Sequence, residues 1–171
     1  MTTDYTKVAS YDVVEAIWTQ LRDAGILNES DYFADGFTDA LIPIFPSQQI
    51  PEMNNLLPGK TYLTYDISQR NYGVQWWISD ESLQLDIISR NAAQVQTISN
   101  FLTDLFRRYD DTAKDINLQL SNSSPFRFLS FRVDSSDPVQ PFTDEGGYMS
   151  GSISFSYTYT RDLNPVTGRY L

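Results

Sequence analysis

With no histidine and no cysteine, the acid–base and ligand chemistry this sequence offers rests mainly on its 22 carboxylates. Asp80–Glu81, Asp110–Asp111 and Asp144–Glu145 form three adjacent acidic pairs. Glycoside hydrolysis needs two carboxyls that face each other across a cleft. Sequence neighbours usually point to different sides, so these pairs read as solvated loop charges and not as catalytic dyads. The chain has no histidine. That removes a His general base, a Ser-His-Asp triad and His ligands for zinc or iron. It also has no cysteine, which removes disulfides, thiolate chemistry and the usual structural zinc site, and fits a reducing cytosol. Gly59-Lys60-Thr61 is similar to the end of a phosphate-binding loop, but the motif needs glycine at position 54, where Asn54 stands. The fragment also precedes a strand, so it reads as a turn. Residues 134–145 have the length of a calcium loop with acids at both ends. Val139 replaces the required glycine, and Pro138 and Phe142 fall on ligand positions. No catalytic residue, metal or cofactor is expected.

The aromatic residues offer other chemistry. Phe126, Arg127, Phe128 and Arg132 could stack and grip RNA on a sheet. The core is the favoured place for those rings, because the chain carries a net charge of −10 and nucleic-acid binders carry a basic footprint. Trp76 and Trp77 could line a sugar site. On a strand only one of the two can enter the core, which leaves the other, Trp77 as the candidate, exposed or at an interface.

The elements that must position these residues follow from periodicity. Leu83, Leu85 and Ile87 alternate with Gln84 and Asp86, the pattern of a half-buried strand. Asn91 is a candidate N-cap for a helix, with Gln94 in capping-box position. Val95, Ile98, Phe101, Leu102, Leu105, Phe106 and Tyr109 make its apolar stripe, with Arg107 and Arg108 in the last turn. A strand feeding an amphipathic helix implies a sheet with that helix on one face. A first helix over 11–24 has Val14, Ile17, Trp18 and Leu21 on its apolar face, Ser10 as N-cap and Gly25 as the residue after its end. Residues 28–39 read as an acidic loop. Leu41 to Phe45 read as a short strand that Pro43 demotes to an edge or bulge.

Residues 62–67, 74–78, 116–120 and 126–133 read as further strands, the last with a bulge near Leu129. Residues 68–73 and 122–125 read as turns, and 110–115 as a polar linker. Ile153, Phe155, Tyr157 and Tyr159 alternate with serines and a threonine in the cleanest strand, which belongs beside a central one. Its serine face meets either solvent or another subunit. Residues 46–60 and 134–150 read as long loops or arms, and 161–171 as a polar tail. At 171 residues, 41% apolar, this reads as one domain with a core. No apolar run is long enough to cross a membrane, and no signal-peptide pattern opens the chain. The expected class is α+β: a mostly antiparallel sheet packed against two helices, with extended loops or arms.

This layout resembles the tail-terminator, or tail-completion, proteins of long-tailed bacteriophages. The resemblance rests on the early amphipathic helix at 11–24, the strand-helix unit (Leu83-Gln84-Leu85-Asp86-Ile87-Ile88, then Ala92-Ala93-Gln94-Val95 to Leu105), and the late alternating strand at 152–160. The Pro-rich insert at 46–60 departs from it. The family implies a virion structural protein, assembled in the host cytoplasm, that forms a ring, usually a hexamer. The ring caps the tail tube, ends its polymerisation and offers a surface to the head connector; a contractile sheath is a further partner. DNA would pass through an acidic lumen without specific binding. Other neck, head-completion or tail-tube proteins share the class, and a carbohydrate or small-molecule binding module is the alternative from a different class. The residues assigned to subunit or partner contacts are Trp77, Asp134, Asp137, Phe142, Asp144, Glu145, Tyr148 and Tyr170.

Overall fold

The computed structural model describes residues 8–72, 78–120, 124–142 and 146–161. Its elements in chain order are α1 (Ala9–Asp23), β1 (Ile44–Pro46), α2 (Met53–Leu56), β2 (Tyr62–Tyr72), β3 (Ile78–Ser89), α3 (Ala92–Phe106), α4 (Asp110–Leu120), β4 (Phe126–Ser136), β5 (Gln140–Pro141) and β6 (Met149–Arg161). Six strands form one sheet in the order β1-β2-β3-β6-β4, with β5 also pairing β6. Only the β1–β2 pair is parallel. The class is therefore α+β with a mostly antiparallel sheet, as the periodicity led us to expect.

Local chemistry explains the element ends. The side chain of Asn91 accepts from the amides of Ala93 and Gln94 and caps α3. Gln94 does not reach back to complete a capping box; its amide instead donates to the carbonyl of Ile26, 2.8 Å away. Helix α1 closes with Gly25 at φ 67. The Gly25 amide donates to Arg22 and the Ile26 amide to Leu21, which satisfies two terminal carbonyls in a Schellman pattern. Ser10 is not the N-cap: it lies inside α1 and is buried, and Val8 holds the cap position without a side-chain bond.

Residues 110–120 form helix α4, where a linker and a strand had been expected. Thr112, Ala113, Ile116 and Leu120 are its buried residues, a helical spacing, whereas Leu118 is 79% exposed. Two acids in its first turn suit the helix dipole. The Thr112 hydroxyl donates to the Leu105 carbonyl and ties α4 to α3. Strand β2 runs through residues 68–72, which had read as a turn, with a register shift beside Ser68. The bulge expected near Leu129 is present, between Phe128 and Ser130. The long connection expected from residue 134 is shorter than its sequence suggests, because β4 continues to Ser136, β6 begins at Met149 and β5 lies between them. Part of the acidic 28–39 segment is a one-turn 3-10 helix, Glu29–Tyr32, that buries Tyr32.

The core lies on one face of the sheet. Register places Leu83, Leu85 and Glu81 opposite Phe155, Ile153 and Tyr157. Helix α3 covers this face with Val95, Ile98, Leu102, Leu105 and Phe106, all buried. The ring of Phe106 stacks on Phe155 with centroids 4.1 Å apart. Helix α4 packs on β4, and α1 packs on α4. Phe126, Phe128 and Phe131 are buried, so the rings considered for RNA stacking belong to the core. The 46–60 segment also contributes, through buried Met53 and Leu57.

Candidate functional site

The opposite face of the sheet is polar. Along β6 it presents Ser152, Ser154, Ser156 and Thr158, all half-buried. These pair in register with Asp86, Gln84, Ser82 and Asp80 of β3. In β2, Thr64 and Asp66 continue the rows opposite Asp86 and Gln84. In β4, Arg132 lies opposite Ser156. On the four long strands this side is mainly hydroxyl and carboxylate, because serines, threonines and acids alternate with the apolar residues of the core face. The face closes only at one end, where Tyr62, Thr64, Ile88 and Ser150 are buried.

Side chains link the strands across this face. Thr158 donates to Asp80 at 2.6 Å, and the hydroxyls of Ser82 and Ser156 are 2.9 Å apart. Ser152 donates to Asp86, and Ser156 to Asp134. Arg132 pairs with Asp134 at 3.0 Å. Asp66, Asp80, Asp86 and Asp134 thus set an acidic tone that Arg132, and Arg127 opposite Thr160, offset only in part. A groove of about 390 Å³ crosses the face, lined by Asn71, Asp80, Ser82, Tyr109, Arg132 and Thr158 among others. Its single carboxylate already accepts a hydrogen bond, so the two opposed carboxyls of a glycosidase are not assembled there.

The acidic pair Asp80–Glu81 does not lie in a loop. It sits in β3, with Asp80 on the polar face and Glu81 buried at 1% exposure. Glu81 accepts from the phenols of Tyr157 and Tyr159 at 2.6 and 2.7 Å. Enclosed in this way it braces the core and is out of reach of a substrate. A second cavity of about 260 Å³ brings Lys60 and Arg90 to the start of α3. Lys60 is bound to Asp31 at 2.6 Å, and Asn91 occupies the Ala93 and Gln94 amides. Lys60 and the first free amides of α3 are therefore engaged, the Arg90 guanidinium lies over the Tyr148 ring, and Gly59, at φ 71, is a turn into β2. Among the described residues no cluster of acids is arranged to hold a metal ion. No helix there is long and apolar enough to cross a membrane.

The residues assigned from sequence to partner contacts are scattered. Asp134 sits in β4 on the polar face. The Asp137 amide donates to the Ser152 carbonyl at 2.8 Å, and that of Phe142 to the Tyr148 carbonyl at 2.9 Å. Phe142 is 45% exposed. Tyr148 is half-buried, with the Arg90 guanidinium 5.0 Å from its ring centre. Trp77, Asp144, Glu145 and Tyr170 lie outside the described residues, as does Trp76. Glu81, read from sequence as a solvated loop charge, could have been placed on the core face by extending the alternation of Leu83, Leu85 and Ile87. Asn117, which bonds the edge of β4, carries no sequence signal of that role. No family model matches the chain, and no curated protein matches it.

Proposed function

We propose that this chain is a structural virion protein that assembles as a ring, caps a phage tail tube, ends its polymerisation and joins the tail to the head connector. The observation that carries this reading is an acidic, hydroxyl-rich face on a sheet with a stretch of each edge that no described strand pairs. Strand β1 stops opposite Tyr65, so no described strand pairs the outer side of β2 from Asp66 to Tyr72. At the far side, β4 is the last strand of the sheet. The antiparallel order makes β2 and β4 run in opposite senses, so the β2 edge of one copy suits the β4 edge of the next. Contacts of this head-to-tail kind close into a ring when the rotation fits. Exposed apolar side chains lie at both edges: Ile67 on β2, and Leu129 and Leu118 beside β4. The carboxylate face would line the lumen, where it offers DNA almost no cation to displace phosphate counterions.

In this reading the protein performs no catalysis. Its partners are other copies of itself, the tube protein and the connector. The test is to mix purified chain with purified tail tubes and image the product. Caps at one end of each tube, with no further growth there, are expected. Growth into longer tubes would make it a tube protein, and absence from every tube end would overturn the proposal.

A further inference from the structure

The β4 edge is not uniformly open. In an antiparallel strand the residues of one phase point both N–H and C=O away from the neighbour, and here Phe126 and Phe128 belong to that phase. All four groups are met by side chains. The Phe126 amide donates to the Ser124 hydroxyl at 3.0 Å, and its carbonyl accepts from the Arg127 guanidinium at 2.6 Å. The Phe128 amide donates to Asn117 Oδ1, and the Phe128 carbonyl accepts from Asn117 Nδ2, both at 2.8 Å. Asn117 thus makes the reciprocal pair that a residue of an incoming strand would make. It stands on α4, which packs on β4. Past the bulge at Leu129 no described side chain bonds the β4 backbone.

We propose that α4 is a strand mimic. It shuts the start of the β4 edge and confines strand docking to residues 129–136, and the partner is an extended segment of a second copy of this chain. The second copy is favoured because the free stretch of β2, 66–72, is similar in length and runs in the opposite sense. Each stretch also bears one exposed aliphatic side chain, Ile67 and Leu129. An open edge is a template for another strand. A plug at one end therefore sets the register at which pairing starts. The plug is also separable from the ring reading, since it restricts strand addition at this edge whatever the oligomer is for.

The test compares wild type with Asn117→Leu, which keeps the branched shape of the side chain and removes both bonds. The readouts are sedimentation velocity over a concentration series and amide exchange at Phe128, with circular dichroism to check the fold. Asn117→Leu should exchange the Phe128 amide roughly tenfold faster and should populate larger species than wild type at equal concentration. Adding Leu129→Lys should reverse the extra association, because a charge blunts an edge. An Asn117→Leu protein with the wild-type size distribution would overturn the proposal. So would extra association that survives Leu129→Lys, because it would not come from edge pairing. Wild type that stays monomeric, with Asn117→Leu associating reversibly, would count against the ring and leave the plug standing.

Discussion

At the scale of single residues, the decisive groups are polar ones inside the core. Glu81 accepts hydrogen bonds from two phenols, and an apolar side chain in its place removes both. Glu81→Leu should destabilise the fold by about 2–4 kcal/mol, because a hydrogen bond to a charged group contributes about 1.5–3 kcal/mol and the two phenols share one carboxylate. That corresponds to a fall in Tm of roughly 5–15 °C for a chain of this size, readable by calorimetry; Glu81→Gln should lose much less. Tyr32 gives a pH signature. Its phenol donates to the Thr61 carbonyl at 2.8 Å, and burial, with a smaller push from Asp31, raises its pKa well above the ordinary range. The unfolded chain therefore ionises first. Stability from this group is complete below about pH 10 and falls as pH rises further. Tyr32→Phe should flatten part of that fall in Tm measured from pH 9 upward. Burial raises Tyr62 and Tyr65 in the same direction, so some slope should remain.

At the scale of elements, the sheet and its two long helices could be read from spacing alone. Leu83, Leu85 and Ile87, and the Ile153–Tyr159 alternation, are buried on one side only, so period two survives in the sequence. The cap at Asn91 was equally legible, and Asn91→Ala should cost about 1 kcal/mol in chemical denaturation. Helix α4 was not. Ile116, Leu118 and Leu120 mimic a strand, yet Leu118 faces solvent, whereas Thr112 and Ala113 are buried and Thr112 bonds the end of α3. A short segment with two compatible periods is settled by tertiary packing. Gly151 was likewise hidden. A Cβ there would stand 3.0 Å from Val95 Cγ1, on a buried, β-branched side chain with little room to rotate. Gly151→Ala should therefore destabilise the α3–sheet contact by about 1–3 kcal/mol, seen as a lower denaturation midpoint.

At the scale of the whole molecule, two features were beyond any sequence pattern. The polar face becomes acidic as a surface only when β2, β3, β6 and β4 are laid side by side, because its carboxylates come from three separate strands, β2, β3 and β4. The plug on β4 joins Asn117 to Phe128 through a helix that the alternation concealed. Together they describe a sheet that helices cover on one face and that no described strand pairs along part of each edge, the two features that the proposed ring would use. The most direct measurement is native mass spectrometry of the purified chain, with electron microscopy of the same sample. The account predicts a discrete closed oligomer, a ring with a central hole, over a range of concentrations. A strictly monomeric chain at every concentration, which also leaves tail tubes uncapped, would contradict it.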